Sequence, residues 1–275
     1  MRTRLNSNKR TCGSPEETVN PEFDYVQEAL LAANWDVSST AVLGQVYDVI
    51  DFFSGCGGMS YGFHEIGART GIFSLIGAFD IDPDANKTYE RNLGIKPYDV
   101  DLATSDIELI RDIVRDMTPS GKKNPLILIG CAPCQGFSKL SKRKDGKDPR
   151  NSLVSKFAEI VAALSPEIAI MENVPDLLRR KPNRYYESFK RIIEKAGYEN
   201  IEADIVNMAE YGVPQVRLRT TIIASKDIKV TLPPAIFAPP SFRTVRDAIG
   251  FLPPLKSGGS WDEDPMHRSD KRIMN

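Results

Sequence analysis

YDVIDFFSGCGGMSYGF, residues 47–63, decides the fold. Its first seven residues are β-rich and mostly apolar. They run straight into a turn with glycines at 55, 57, 58 and 62. A buried strand that breaks into a glycine turn and then a helix is how a parallel α/β sheet offers backbone N–H groups to a ligand. Three more short apolar runs follow: SLIGAFDID from Ser74, LILIG from Leu126 and EIAIMENV from Glu167. Between them lie DANKTYERNL from Asp84, SDIELIRDIVRDM from Ser105 and SLVSKFAEIVAAL from Ser152, with RYYESFKRIIEKAG from Arg184 after the last. Apolar strands alternating with amphipathic helices predict an α/β chain with a doubly wound parallel sheet, covered by helices on both faces. RTTIIAS from Arg219 is a candidate further strand.

The flanks differ in character. Residues 1–46 form an N-terminal extension whose first 22 residues are polar and turn-rich, the composition of a disordered segment. Within it DYVQEALLAA, from Asp24 to Ala33, reads as a short amphipathic helix. Residues 47–228 hold the strand–helix alternation. From 229 to 275, TLPPAIFAPPSF and FLPPLKSGGS carry Pro-Pro pairs that exclude a central strand or a regular helix, so this part reads as an extended exit.

The chain has 275 residues and a formal net charge of -1, so any nucleic acid must be met by a local basic patch rather than a global field. No apolar run is long enough for a transmembrane helix, and the first residues lack the apolar core of a secretory signal. Four cysteines do not make a disulfide scaffold, and a reducing cytoplasmic setting is expected.

Two acids follow the glycine turn at strand ends: Asp80, placed to accept from ribose hydroxyls, and Asp101. Together with Gly55 and Gly57 they suggest a nucleoside-cofactor site. Ser60 stands where a dinucleotide motif needs its third glycine, which disfavours a pyrophosphate. Asp80-Ile81-Asp82-Pro83 also reads as a helix cap.

LILIGCAPCQGFSKL, residues 126–140, places Cys131 and Cys134 after a strand. The pair reads as a thiol–disulfide couple, as half of a zinc site, or as a lone nucleophile, Cys134, beside a small core residue, Cys131. Zinc lacks a second pair of ligands, and no metal is expected. Lys139, Lys142, Arg143, Lys144, Lys147 and Arg150 follow, a solvated loop or a phosphate-contacting lid. Glu172 and Asn173 end the fourth run, where a glutamate serves as a cap or as an acid–base group. Arg217 and Arg219 share one face of an extended segment, a surface ladder or a two-pronged anion grip.

In this order the residues resemble the DNA (cytosine-5) methyltransferases. DFFSGCGG resembles the family's cofactor motif, GAFDID its second motif, APCQGFS its catalytic Pro-Cys-Gln loop and MENV its Glu-Asn-Val motif. YGVPQVRLR resembles its Gln-x-Arg-x-Arg motif, and TVRDAIGFLPPL a segment found before the target-recognition region. The resemblance implies a Rossmann-like, S-adenosylmethionine-dependent methyltransferase domain acting on double-stranded DNA, in a restriction–modification setting. It implies that Cys134 is the nucleophile and Glu172 the acid at the base's N3 edge, with Arg219 and Arg217 in support. S-adenosylmethionine would lie over Phe53, Ser54, Gly55, Cys56, Gly57 and Gly58. Asp80, Ile81, Asp101, Leu102 and Pro133 would complete that site. Gln135, Ser138, Asn173 and Gln215 would contact the substrate. The family's target-recognition region and final Gly-Asn motif are not found before Asn275. The expectation is a subunit of a split enzyme completed by a second polypeptide, a truncated product, or part of a longer chain. In each case weak methylation by this chain alone is expected.

Overall fold

The computed structural model describes residues 44–117, 124–133, 152–179 and 183–269. The N-terminal helix expected at residues 24–33 lies outside these. Strand β1 (Tyr47–Phe52) is followed by α1 (Gly58–Thr70), β2 (Phe73–Asp80), α2 (Pro83–Leu93) and the short β3 (Tyr98–Asp99). Then come α3 (Ile107–Met117), β4 (Leu126–Gly130), α4 (Leu153–Leu164), β5 (Ile168–Asn173), α5 (Asp176–Arg179) and α6 (Arg184–Lys195). A hairpin of β6 (Asn200–Asn207) and β7 (Leu218–Ser225) completes a seven-stranded sheet in the order β3-β2-β1-β4-β5-β7-β6.

β1 lies between β2 and β4, parallel to both. The chain therefore winds outward from β1 to β3, then restarts at β4 on the other side. The crevice at that reversal, beyond the carboxyl ends of β1 and β4, is where a doubly wound sheet binds ligands. Period two along β1 sends Ile50 and Phe52 into one layer with Phe79, Ile110, Val114, Phe157 and Ile193, covered by α3, α4 and α6. Val49 points the other way, toward Ile127, Ile129, Met59 and Phe63 under α1. Phe52 stacks on Phe79 with ring centroids 4.7 Å apart, which locks β1 to β2 near the turn.

The predicted doubly wound α/β architecture is present, with one difference. The sheet is mixed, because β7 pairs antiparallel with both β5 and β6. The segment after residue 228 is also more structured than its prolines suggest. Val230 and Leu232 pack against the core, and the Leu232 N–H donates to Glu202 at 3.0 Å. Thr244 and Asp247 form a reciprocal capping box that starts α7 (Val245–Ile249). β8 (Ser260–Trp261) and β9 (Asp264–Arg268) form a small hairpin. Among the described residues no helix is long and apolar enough to cross a membrane.

Gly57 shows how tightly the glycine turn is built. Its φ is 91°, and a Cβ placed there would lie 2.7 Å from Leu93 Cδ1 and 2.9 Å from Tyr89 Cδ2. Left-handed strain and overpacking then act together. Gly57→Ala is expected to destabilise the chain by about 2–4 kcal/mol, read as a lowered urea midpoint with unchanged slope.

Candidate active site

The turn after β1 is strained in a specific way. Phe53 has φ 57°, unusual for a residue with a side chain, and Gly55 has φ 53°. The Gly55 N–H donates to Asp80 Oδ2 at 2.8 Å, and the Asp82 N–H donates to Asp80 Oδ1 at 2.9 Å. One carboxylate thus fastens the β1 turn to the end of β2. Asp82, not Asp80, caps α2, accepting from the N–H groups of Asp84 and Ala85. Ile81 projects between them and is 58% exposed, an apolar face left open to solvent. An added Cβ at Gly55 or Gly58 would meet no non-neighbouring atom of the described residues within 4 Å, so the turn is open toward them. Ser54 is buried, and its Oγ has no hydrogen-bond partner among the described residues. A strained turn, an orphaned hydroxyl, an exposed apolar side chain and open space fit a nucleoside ligand.

The other residues of this group divide. Cys56 is exposed on the turn. The Asp101 carboxylate is engaged in its own turn, accepting from the Ala103 N–H at 2.9 Å and the Thr104 hydroxyl at 3.0 Å. Leu102 is 3% exposed and packs in the core, so its side chain supports the crevice floor instead of lining it.

A second cluster sits at the ends of β4, β5 and β7. Glu172 Oε1 is 2.7 Å from Arg219 Nε, across the antiparallel β5–β7 pair. Burial raises the Glu172 pKa, while the Arg219 and Arg217 charges oppose that rise. Arg219 therefore holds Glu172 directly, and Arg217 acts on it by its charge. The Arg217 backbone is anchored to Asn207, whose Oδ1 accepts from its N–H at 3.2 Å. Arg217, Gln215 and Val216 are exposed on the same bend.

Asn173 is buried and fully engaged. Its Nδ2 donates to the Ala132 carbonyl at 3.0 Å, and its Oδ1 accepts from the Val174 N–H. It clamps the backbone just before Pro133, so its direct role is to position that segment. Burial pushes the Cys131 thiol well above the usual range, with the Asp51 and Glu172 charges acting in the same direction. Its Sγ lies 3.7 Å from Met59 Sδ. Cys131 is a neutral thiol between two acids. Cys134, Gln135, Ser138 and the basic run from Lys139 to Arg150 lie outside the described residues. Pro133 is the last described residue before them. No cluster of three or more metal-ligating side chains occurs among the described residues.

Sequence reasoning missed one participant. Asp51 lies in β1 beneath the turn, 1% exposed, and accepts from the Ser60 hydroxyl at 2.6 Å. An acid inside the apolar run YDVIDFF was the available signal.

Residues 47–257 match the profile of the C-5 cytosine-specific DNA methylase family. The chain belongs to this family. Among other C-5 cytosine-specific DNA methylases and related proteins, the chain is 31% identical over 223 residues to the Type II methylase M.HgiDII of Herpetosiphon aurantiacus, covering 81% of this chain and 59% of that one. It spans about half the length of the next curated relatives it matches. It is 32% identical to the Type II methyltransferase M.AquIA of a Picosynechococcus species, over 75% of this chain and 89% of that one. A crystal structure of a candidate DNA modification methyltransferase encoded within an Escherichia coli prophage superposes with a TM-score of 0.61 at 28% identity. That alignment covers 78% of this chain and 57% of the other. The fold is therefore that of the C-5 cytosine-specific DNA methylases.

The ion pair in this methylase site makes a sign-definite prediction. Arg219→Met removes the main opposing charge, so the Glu172 pKa rises further. A carboxyl whose folded pKa lies above its unfolded one contributes stability at low pH that is lost as pH rises through the folded pKa. The variant is expected to lose about 1–2 kcal/mol, a value discounted for partial exposure, and to lose more at pH 8 than at pH 5. Carbon-13 NMR of the Glu172 carboxyl checks the direction of the shift.

Proposed function

We propose that this chain is the catalytic part of a DNA (cytosine-5) methyltransferase acting through Cys134. The observation that carries the reading is the junction at the sheet's carboxyl edge. There the Glu172–Arg219 pair, the Asn173 clamp on Ala132 and the open glycine turn meet around the segment leading into Cys134. S-adenosylmethionine fits the first half of the crevice. Its ribose would lie by Asp80, its adenine against Ile81, and its chain along Phe53 to Gly58. When bound, it supplies an electrophilic methyl group on a sulfonium.

The chain's own residues then have defined work. Carbon 5 of cytosine is a weak nucleophile. The Cys134 thiolate adds to carbon 6, forming an S–C bond and an enamine whose carbon 5 accepts the methyl group. Glu172, whose pKa burial raises, contacts the N3 edge and favours protonation there as the adduct forms, dispersing the charge that develops. Arg219 fixes Glu172 in place. Loss of the carbon 5 proton to solvent base and departure of the thiolate restore the ring. The base must leave the duplex to reach this edge, and the basic run after Ser138 suits contact with the phosphates.

A redox pair is the less favoured reading. Cys131 is held as a neutral thiol beside Glu172, a setting that suits packing and positioning. A second polypeptide carrying a target-recognition region is proposed as partner. A restriction–modification setting in the cytoplasm is part of this proposal, and the Type II names of the relatives support the restriction–modification half.

Transfer of tritiated methyl groups to mixed duplexes, with a target-recognition polypeptide supplied, tests this. Cys134→Ser is expected to abolish incorporation, and Cys131→Ala to retain most of it. Equal loss in both variants would favour the redox pair instead.

A further inference from the structure

We infer that Asp51 is a charge-selective residue of the cofactor site, its buried carboxylate favouring the cationic methylsulfonium donor over the neutral thioether left after transfer. This rests on the cofactor reading above and concerns a residue that reading does not use.

Asp51 lies two residues before the strained Phe53, on β1, the strand bordering the crevice. Its Oδ2 accepts from the Ser60 hydroxyl at 2.6 Å, and Ser60 Oγ lies 2.8 Å from the Tyr89 hydroxyl. Its Oδ1 has no hydrogen-bond partner among the described residues. A buried carboxyl with one oxygen unsatisfied is costly, and a valine would serve the strand better. Among the described residues four groups face it. They are Ser60 from α1, Tyr89 from α2, Asp80 from the end of β2 and Cys131 after β4. None is a cation, and the charge among them, Asp80, is negative.

A buried acid with no cation beside it among the described residues therefore lies two residues before the glycine turn, where added Cβ atoms at Gly55 and Gly58 would meet no described atom within 4 Å. Burial, together with the Asp80 charge, raises the Asp51 pKa to about 7, against the opposing Ser60 hydrogen bond. Near neutrality the carboxyl is thus partly protonated. A cation binds the ionised form better. Below about pH 7 its binding must expel a proton, so affinity falls as pH falls; above, it levels off. A neutral thioether lacks this coupling. The device would favour donor entry and product release.

Calorimetric binding of S-adenosylmethionine and S-adenosylhomocysteine to the full chain, from pH 5.5 to 8, tests the inference in wild type and Asp51→Asn. The asparagine keeps an acceptor for Ser60, and comparison between variants cancels titration of the ligands' own groups. In wild type the donor-to-product affinity ratio is expected to rise about tenfold across this range, and to stay flat in the variant. Parallel pH profiles in the two proteins would overturn the inference while leaving the cofactor reading intact. Binding of neither ligand to wild type would overturn both. If the variant fails to fold, wild type alone suffices. At pH 6.5, donor binding should release a proton in paired buffers of different ionisation enthalpy, and thioether binding should not. Equal proton release for both would overturn the inference.

Discussion

The hydrogen bond from the Gly55 N–H to the Asp80 carboxylate is the constraint on which the rest of the structure turns. It joins the end of β1 to the end of β2 and holds a turn that would otherwise relax. Phe53 and Gly55 keep positive φ because this bond, the Ser54 N–H donating to the Phe79 carbonyl, and the Phe52–Phe79 stack determine the turn together. Once the turn is fixed, α1 starts where it does and the crevice has its floor. The same reversal of winding between β1 and β4 brings the Cys131–Pro133 segment to the crevice's other side.

The site also works by managing buried acids. Glu172 has a partner, Arg219, delivered by an antiparallel strand that a purely parallel sheet would lack. Asp51 has the Ser60 hydroxyl on one oxygen and, among the described residues, no partner on the other, which is buried. Cys131 sits between them as an uncharged spacer, its thiol kept protonated by burial first and by both acids next. An ionised thiol there would place a further negative charge beside two acids whose charge burial already disfavours. In the proposed function this arrangement anchors one carboxyl for acid–base work and leaves the other responsive to an incoming charge.

Much of the sheet was legible because its strands are continuous apolar runs and its helices are amphipathic. β6 was not. NIEADIVN is an edge strand with polar residues at half its positions, and edges need little hydrophobic signal. The antiparallel direction of β7 was hidden for a related reason. Residues 208–217, between β6 and β7, carry a 3-10 turn and a bend instead of a tight hairpin signature. The Thr244–Asp247 capping box was present in the sequence but overshadowed by the prolines on either side. In the site, the strand-end position of Glu172 was readable, but its pairing with Arg219 was not, because it depends on the antiparallel return of β7. The roles of Asn173 and Leu102 were not, since whether a side chain clamps backbone, packs or faces a ligand depends on contacts distant in sequence.

The central claim is that the crevice beyond β1 and β2 is the nucleoside half of a methyl-transfer site. A crystal structure of the chain with S-adenosylhomocysteine tests it most directly. The account predicts the ribose hydroxyls at Asp80, the adenine against Ile81, and the thioether along the Phe53–Gly58 turn, on the side facing Pro133. Occupancy elsewhere, with Ile81 still open and the glycine turn empty, would contradict it.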